Sequence, residues 1–263
     1  MTDVLDLVPP GALLARPDLA ERALEGLVRA KTYRAVEPMH CRVAVADLWS
    51  DKGERIDQLL FGEAFDVLEQ KDGRAWGRAR RDGVVGWVVL DSLAEGAPLP
   101  TRRVASVSAA LPLNALVGDE AGGVAEADLE PIGDFESDLV AVAERLLGRP
   151  HALGARSSIE TDCAGLVQQA LLACGRPGPR RSDAQAQLGR AVASGEVRRG
   201  DIVVWLAPEG GDHDWTGHSA LMLDPDRVIH STGDRGGVVI EALAEVEARL
   251  VGDGFAPAVF RRL

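Results

Sequence analysis

The chain has 263 residues, 46% of them hydrophobic and 27% charged, which is enough for one large domain or two to three small ones with real cores. Its 41 acidic against 29 basic residues give a formal charge of −12, which excludes a phosphate-backbone binder and gives no attraction to an anionic membrane. The first thirty residues, "MTDVLDLVPPGALLARPDLAERALEGLVRA", show no cationic leader and no uninterrupted apolar core, and no stretch approaches the ~18 apolar residues of a membrane span. A cytoplasmic protein is expected.

Residues 17–31, "PDLAERALEGLVRAK", carry Leu and Ala at helical spacing after Pro17 and Asp18, so the spacing predicts a helix within an N-terminal arm over 1–36. Between 37 and 97 the pattern changes to short Val- and Trp-rich runs, "RVAVADLW", "EAFDVLEQ" and "AWGRARRDGVVGWVVL". The Asp-Gly of "RRDGV" signals a tight hairpin, and several strands in about sixty residues predict a small β-barrel with Trp76 and Trp87 in its core. Residues 98–135 mix Pro, Gly and acidic residues with short apolar pieces, a composition that fits either a linker or a degraded second barrel.

From 136 the pattern is α+β. "SDLVAVAERLLG" reads as a helix with Ser137 as its N-cap and Gly148 at its end. In "IETDCAGLVQQALLACG", Cys163, Leu166, Val167, Ala170, Leu171 and Cys174 fall on one helical stripe, with Asp162 as the N-cap. "GDIVVWLA", "GHSALMLD", "RVIHSTG" and "GVVIEAL" then read as strands joined by short, hence antiparallel, connections. Helices packed on an antiparallel sheet make the expected C-terminal unit.

Three cysteines in such a chain imply no disulfide framework. Cys163 and Cys174 lie about 16 Å apart along one helix, beyond the ~7 Å that a disulfide tolerates. A lone cysteine is by default a packing residue. At the first turn of a helix, however, the macrodipole and free N–H groups lower a thiol's pKa and offer an oxyanion site. Its base would be a histidine. If Asp224–Asp226 form a three-residue loop, Leu223 pairs with Arg227, and His218 and His230 become diagonal neighbours on one sheet face. A four-residue loop places them on opposite faces. The competing use of Cys163, His218 and His230 is zinc, helped by His213, Asp212 and Asp214 in "GDHDWTGH". That set lacks paired ligand spacing, so no metal and no cofactor is expected.

Taken in order, "TDCAGLVQQALLACG", "GPRRSDAQ", "RRGDIVVW", "GHSALML" and "VIHST" resemble the core motifs of NlpC/P60 cysteine peptidases. The N-terminal half is similar to the bacterial SH3-type barrel that precedes this domain in many members. "QLLFGEAFDVLEQ" and "DGVVGWV" resemble the dipeptidyl-peptidase VI-like subgroup. The resemblance implies a papain-like α+β domain over 136–263 with Cys163 as nucleophile, His218 as base and His230 as its orienting group. It further implies Asp162 and Glu63 as contacts to a substrate's free amine, with Ser182 near the substrate. The implied substrate is a peptidoglycan stem peptide, L-Ala-γ-D-Glu-diamino acid, cut after D-Glu. The motif "PYxWGG" is here "PHALGA", so that His151 stands at a tyrosine position tied to the oxyanion site and Leu153 at a tryptophan position. Ala164 replaces the serine of "DCSGLV", and Val84 stands where related barrels carry a tyrosine. These departures leave two other readings beside the peptidase: an impaired homologue that binds muropeptides or a protein, and an acyltransferase or thioesterase.

Overall fold

The computed structural model describes residues 13–118, 123–208 and 215–263. The N-terminal arm corrects the sequence reading. In place of a helix over 17–31, β1 (Leu19–Glu21) pairs in parallel with β2 (Thr32–Arg34), joined through a short 3-10 turn and Gly26 at φ +83°. Leu14 and Leu19 pack on Leu68, Trp76 and Val85, and the Arg16 guanidinium lies 4.1 Å over the Trp76 ring. Glu21 is buried against Arg78 at 2.6 Å. An isolated fifteen-residue helix is marginal in water, so the partners an extended strap finds on the barrel outweigh helical periodicity.

Strands β3 (Glu37–Cys41), β4 (Val45–Trp49), β5 (Arg55–Leu60), β6 (Ala64–Lys71), β7 (Arg74–Ala79), β8 (Val85–Val89) and β9 (Leu93–Glu95) form one antiparallel sheet in the order β5-β4-β8-β7-β6-β3-β9. Leu48, Leu59, Phe65, Val67 and Val88 fill it. The β7–β8 hairpin turns through "RRDG", with Gly83 at φ +84°, the left-handed conformation that glycine accepts without steric cost. Trp76 and Trp87 lie outside that core cluster and beneath the N-terminal strap, with ring centroids 6.5 Å apart.

Residues 98–118 and 123–135 form a packed sheet rather than a bare linker. β10 (Arg102–Val104), β11 (Leu116–Val117) and β12 (Leu129–Pro131) pair in the order β11-β10-β12, and Val104, Ala115, Val117 and Leu129 bury together with Leu60 of the barrel.

The C-terminal unit begins with α1 (Leu139–Glu144). Its cap is Asp138, which accepts from the N–H groups of Val140 and Ala141; Ser137, expected in that role, lies one residue too early. Then follow α2 (Cys163–Ala173), α3 (Ser182–Gln185), β13 (Arg190–Val192), β14 (Ile202–Leu206), β15 (Gly217–Asp224), β16 (Arg227–Thr232), β17 (Gly237–Ala242), α4 (Leu243–Gly252) and β18 (Val259–Arg262). The sheet runs β13-β18-β14-β15-β16-β17. Ile202, Val204, Leu221 and Ile229 face α1 and α2, whereas Val203, Trp205, Ala220, Met222 and Val228 face α4. The alternation follows from the two-residue period of strands buried on both faces.

Candidate active site

Asp162 fixes the start of α2. One carboxylate oxygen accepts from Gly165 N–H at 2.7 Å and the other from Gly154 N–H at 2.9 Å. Arg180 holds both oxygens, at 3.0 and 2.6 Å. A Cβ on Gly165 would stand 2.3 Å from the Ala155 carbonyl, so glycine lets α2 approach the preceding loop. These contacts place Cys163 at the helix's first residue.

The thiol sits where two strands part. Asp224 pairs with Arg227 across a two-residue turn, and a bulge between Met222 and Asp224 restores the pairs Met222–Val228 and Leu221–Ile229. This is the register a three-residue loop would give, reached by a shorter turn plus a bulge. It leaves His218 and His230 on the same face. Beyond Leu221 no β15–β16 pair continues, while β16 stays paired with β17 through Thr232. Met222 directs its N–H and C=O to β14, so Gly217 and Ser219, of opposite parity, aim theirs towards β16. Cys163 Sγ takes up those groups: it lies 3.9 Å from the Gly217 carbonyl oxygen, and Ser219 N–H faces it. The nucleophile candidate is thus held against the backbone on either side of His218.

His218 Nε2 is 2.7 Å from His230 Nδ1, with the rings edge to face. His230 is fully buried, and its Nε2 lies 2.9 Å from Glu241 Oε2. Arg235 and Arg249 hold the Glu241 carboxylate and, despite its burial, bring it down to about 2. Burial pushes the Cys163 thiol up to about 11, reinforced by the Asp162 carboxylate and opposed by Ser219 N–H and the Arg180 cation. Burial, then the neighbouring His230 and His151, bring His218 well below the ordinary histidine value. The pair therefore rests as neutral thiol and neutral imidazole. The thiol lowering expected from the helix terminus is outweighed by burial.

His151 is half-buried, its Nδ1 3.0 Å from Ser231 Oγ. The Ser231 hydroxyl gives its only proton to the Thr161 carbonyl at 2.7 Å, so it accepts from His151 Nδ1–H. Neutral His151 then carries a lone pair, not a proton, on Nε2. Burial holds its pKa below the usual histidine value, so it is not the ready oxyanion donor that the tyrosine position suggested.

Three other residues expected near the substrate are engaged internally. The Ser182 hydroxyl donates to the Gly217 carbonyl at 3.2 Å and accepts from Ser219 at 2.9 Å, bracing the start of β15. Glu63, in the barrel, is buried and accepts from Leu60 N–H at 3.0 Å, from Arg81 at 2.7 Å and from Arg156. Asp162 has the four donors given above. Neither carboxylate has a face left for an ammonium group. Asp57, between them, lies 2.9 Å from both Arg156 Nε and Arg180 Nε, so one buried ionic chain runs from the barrel to the cap of α2. Arg180 lies within the quoted "GPRRSDAQ" without a role assigned to it there, and Arg156 lies in no quoted motif. Glu241 left a faint trace as the one charge in "GVVIEAL".

His213, Asp212 and Asp214 lie outside the described residues. Among the described residues no three His, Cys, Asp or Glu side chains converge on a metal position.

Residues 148–250 match the model of the NlpC/P60 family, and residues 50–93 match that of the bacterial dipeptidyl-peptidase SH3 domain. Residues 148–250 thus form an NlpC/P60 domain, preceded by a bacterial SH3-type domain. A protein of that family from Bacillus cereus shares the fold across both domains, with a TM-score of 0.70 and 17% identity over 86% of this chain and 99% of that one. The chain is 32% identical over 98 residues, 37% of its length, to a probable endopeptidase of Corynebacterium glutamicum, of which the match covers 46%. It is 32% identical over 84 residues to the peptidoglycan endopeptidase RipB of Mycobacterium tuberculosis, 32% of each chain. The chain thus spans about half or less of these relatives' length.

Proposed function

We propose that the protein is a cysteine peptidase that hydrolyses the γ-D-glutamyl–diamino acid bond of peptidoglycan stem peptides, acting in the cytoplasm on recovered wall peptides. The observation that carries the reading is Cys163 at the first turn of α2, held against the backbone on either side of His218, whose ring is bonded to His230. The names of the endopeptidase relatives support the substrate class.

His218 Nε2 is engaged by His230, so Nδ1 is the nitrogen left for the thiol proton. As that proton moves to Nδ1, the sulfur adds to the peptide carbonyl carbon. The N–H groups at the start of α2 face the charge that develops on oxygen. The imidazolium then protonates the leaving amine and the C–N bond breaks, leaving a thioester. Water, deprotonated by His218, attacks the thioester and releases the free carboxylate and the thiol.

Incubation with L-Ala-γ-D-Glu-meso-diaminopimelate tests the reading: the dipeptide L-Ala-γ-D-Glu is released, and Cys163→Ala abolishes release. Binding of the tripeptide without cleavage by the unmodified protein would favour a muropeptide-binding homologue. The neutral, half-buried thiol and the acceptor face of His151 are the observations on that side. Because Asp162 and Glu63 are already saturated, N-acetylation of the substrate is expected to leave cleavage intact. Cell fractionation tests the cytoplasmic assignment.

A further inference from the structure

The His218–His230 pair continues into a buried strand carboxylate. We propose that Glu241 is a positioning residue: it fixes the proton on Nε2 of both histidines and thereby keeps His218 Nδ1 unprotonated towards Cys163. The inference rests on the reading of Cys163 and His218 as nucleophile and base.

The argument is one of donors and acceptors. Glu241 Oε1 lies 3.0 Å from Arg235 Nη2 and 3.2 Å from Arg249 Nη1, and Oε2 lies 3.0 Å from Arg249 Nη2. Two guanidiniums keep the group a carboxylate, which can only accept. His230 Nε2, 2.9 Å from Oε2, must therefore carry the proton. Neutral His230 then has a lone pair on Nδ1, which accepts from His218 Nε2–H at 2.7 Å. Neutral His218 has only one ring proton, so Nδ1 stays free. A histidine on histidine has no intrinsic direction, since each ring can donate or accept. The acceptor-only carboxylate at the far end supplies the direction. The groups facing Glu241 come from three elements: His230 on β16, Arg235 with Asp234 in the turn that follows, and Arg249 on α4, whose Nε also pairs with Asp234 at 2.9 Å.

Glu241→Gln separates direction from packing. The arginines claim the amide oxygen, so the NH2 group faces His230 Nε2 and reverses the chain: His230 Nδ1–H donates to His218 Nε2, and the His218 proton moves to Nδ1. Two-bond ¹H–¹⁵N spectra of ¹⁵N-histidine protein read the tautomers without substrate. Wild type is expected to show Nε2–H on His218 and His230, and E241Q to show Nδ1–H on both. On the stem tripeptide, E241Q should lower kcat at least ~10-fold with KM little changed, below the ~10⁴-fold seen when the carboxylate touching a base is neutralised. Glu241→Asp, which keeps the anion, should retain the wild-type tautomers and recover most of the rate. An Nδ1–H tautomer at either histidine in the wild type overturns the inference, even if E241Q fails to fold. So do unchanged tautomers with kcat within about twofold in folded E241Q. If the wild type cleaves no stem peptide, the proposed function fails while the spectra still decide the role of Glu241.

Discussion

Arg180→Met is the perturbation that most directly tests how the barrel supports the nucleophile. Arg180 is 6% exposed and lies 3.0 and 2.6 Å from the two oxygens of Asp162 and 2.9 Å from Asp57, whose carboxyl is pushed towards its neutral form by burial and by Asp82. Removing one partner of a buried ion pair strands the other and typically costs about 3–5 kcal/mol. For a chain of this size that lowers Tm by ~6–20 °C at about 2–4 °C per kcal/mol. Asp57 keeps Arg156, and Asp162 keeps its two backbone N–H groups, so most of the loss belongs to the pairing of Arg180 with Asp162. Asp162→Asn retains a side-chain oxygen for capping while deleting the stranded charge. In the Arg180→Met background it should recover about 0.5–3 kcal/mol, the range of coupling between residues in direct contact. Urea unfolding of the four proteins in this cycle, followed by circular dichroism, measures the coupling. Additive losses, or an Arg180→Met cost below ~1 kcal/mol as for a surface pair, would refute the view that this chain of charges anchors α2.

Because burial pushes Cys163 up to about 11, its alkylation by iodoacetamide should accelerate steadily from pH 7 towards 10, and a plateau below pH 8 would show a thiolate at rest. Hydrolysis should keep its rate below pH 6.5, since His218 is held well below that value and remains an unprotonated base there; an acid limb centred at or above 6.5 in the kcat/KM profile would contradict this. His151→Phe should cost less than ~10-fold in kcat, because neutral His151 has no proton on Nε2 to give, whereas loss of a true oxyanion donor costs about 10²–10³. The Glu241 pKa is depressed from 4.5 to about 2, so its contribution to stability is complete above about pH 4.5 and is lost as pH falls towards 2. Thermal melts at pH 7, 4 and 3 should show that decline, with a shallower slope in Glu241→Gln.

How much of this was legible in the sequence depends on whether the information is local. The start of α2 was legible because an N-cap followed by a helical stripe is a short-range code, and Asp162 occupies that cap in the structure. The "RRDG" hairpin was legible for the same reason. The N-terminal strap has the Leu and Ala spacing of a helix, but that spacing is equally satisfied by an extended segment with barrel partners, and those partners lie some fifty residues further on. The histidine register depended on a bulge at Leu223 that no residue announces, although the parity it restores is the one that lets the two rings meet. The charged residues were hardest to read. Asp162, Ser182 and Glu63 carry side chains that suit a substrate, and only the fold shows that Arg180, Gly217 and Arg156 already use them. Glu241 is the converse case: one acid in an apolar strand, whose meaning depends on His230 across the ladder and on Arg249 in the next helix. A carboxylate's role is thus set by whichever donors the fold leaves facing it, and recognition of the substrate amine, if it occurs, must fall to groups other than these two saturated acids.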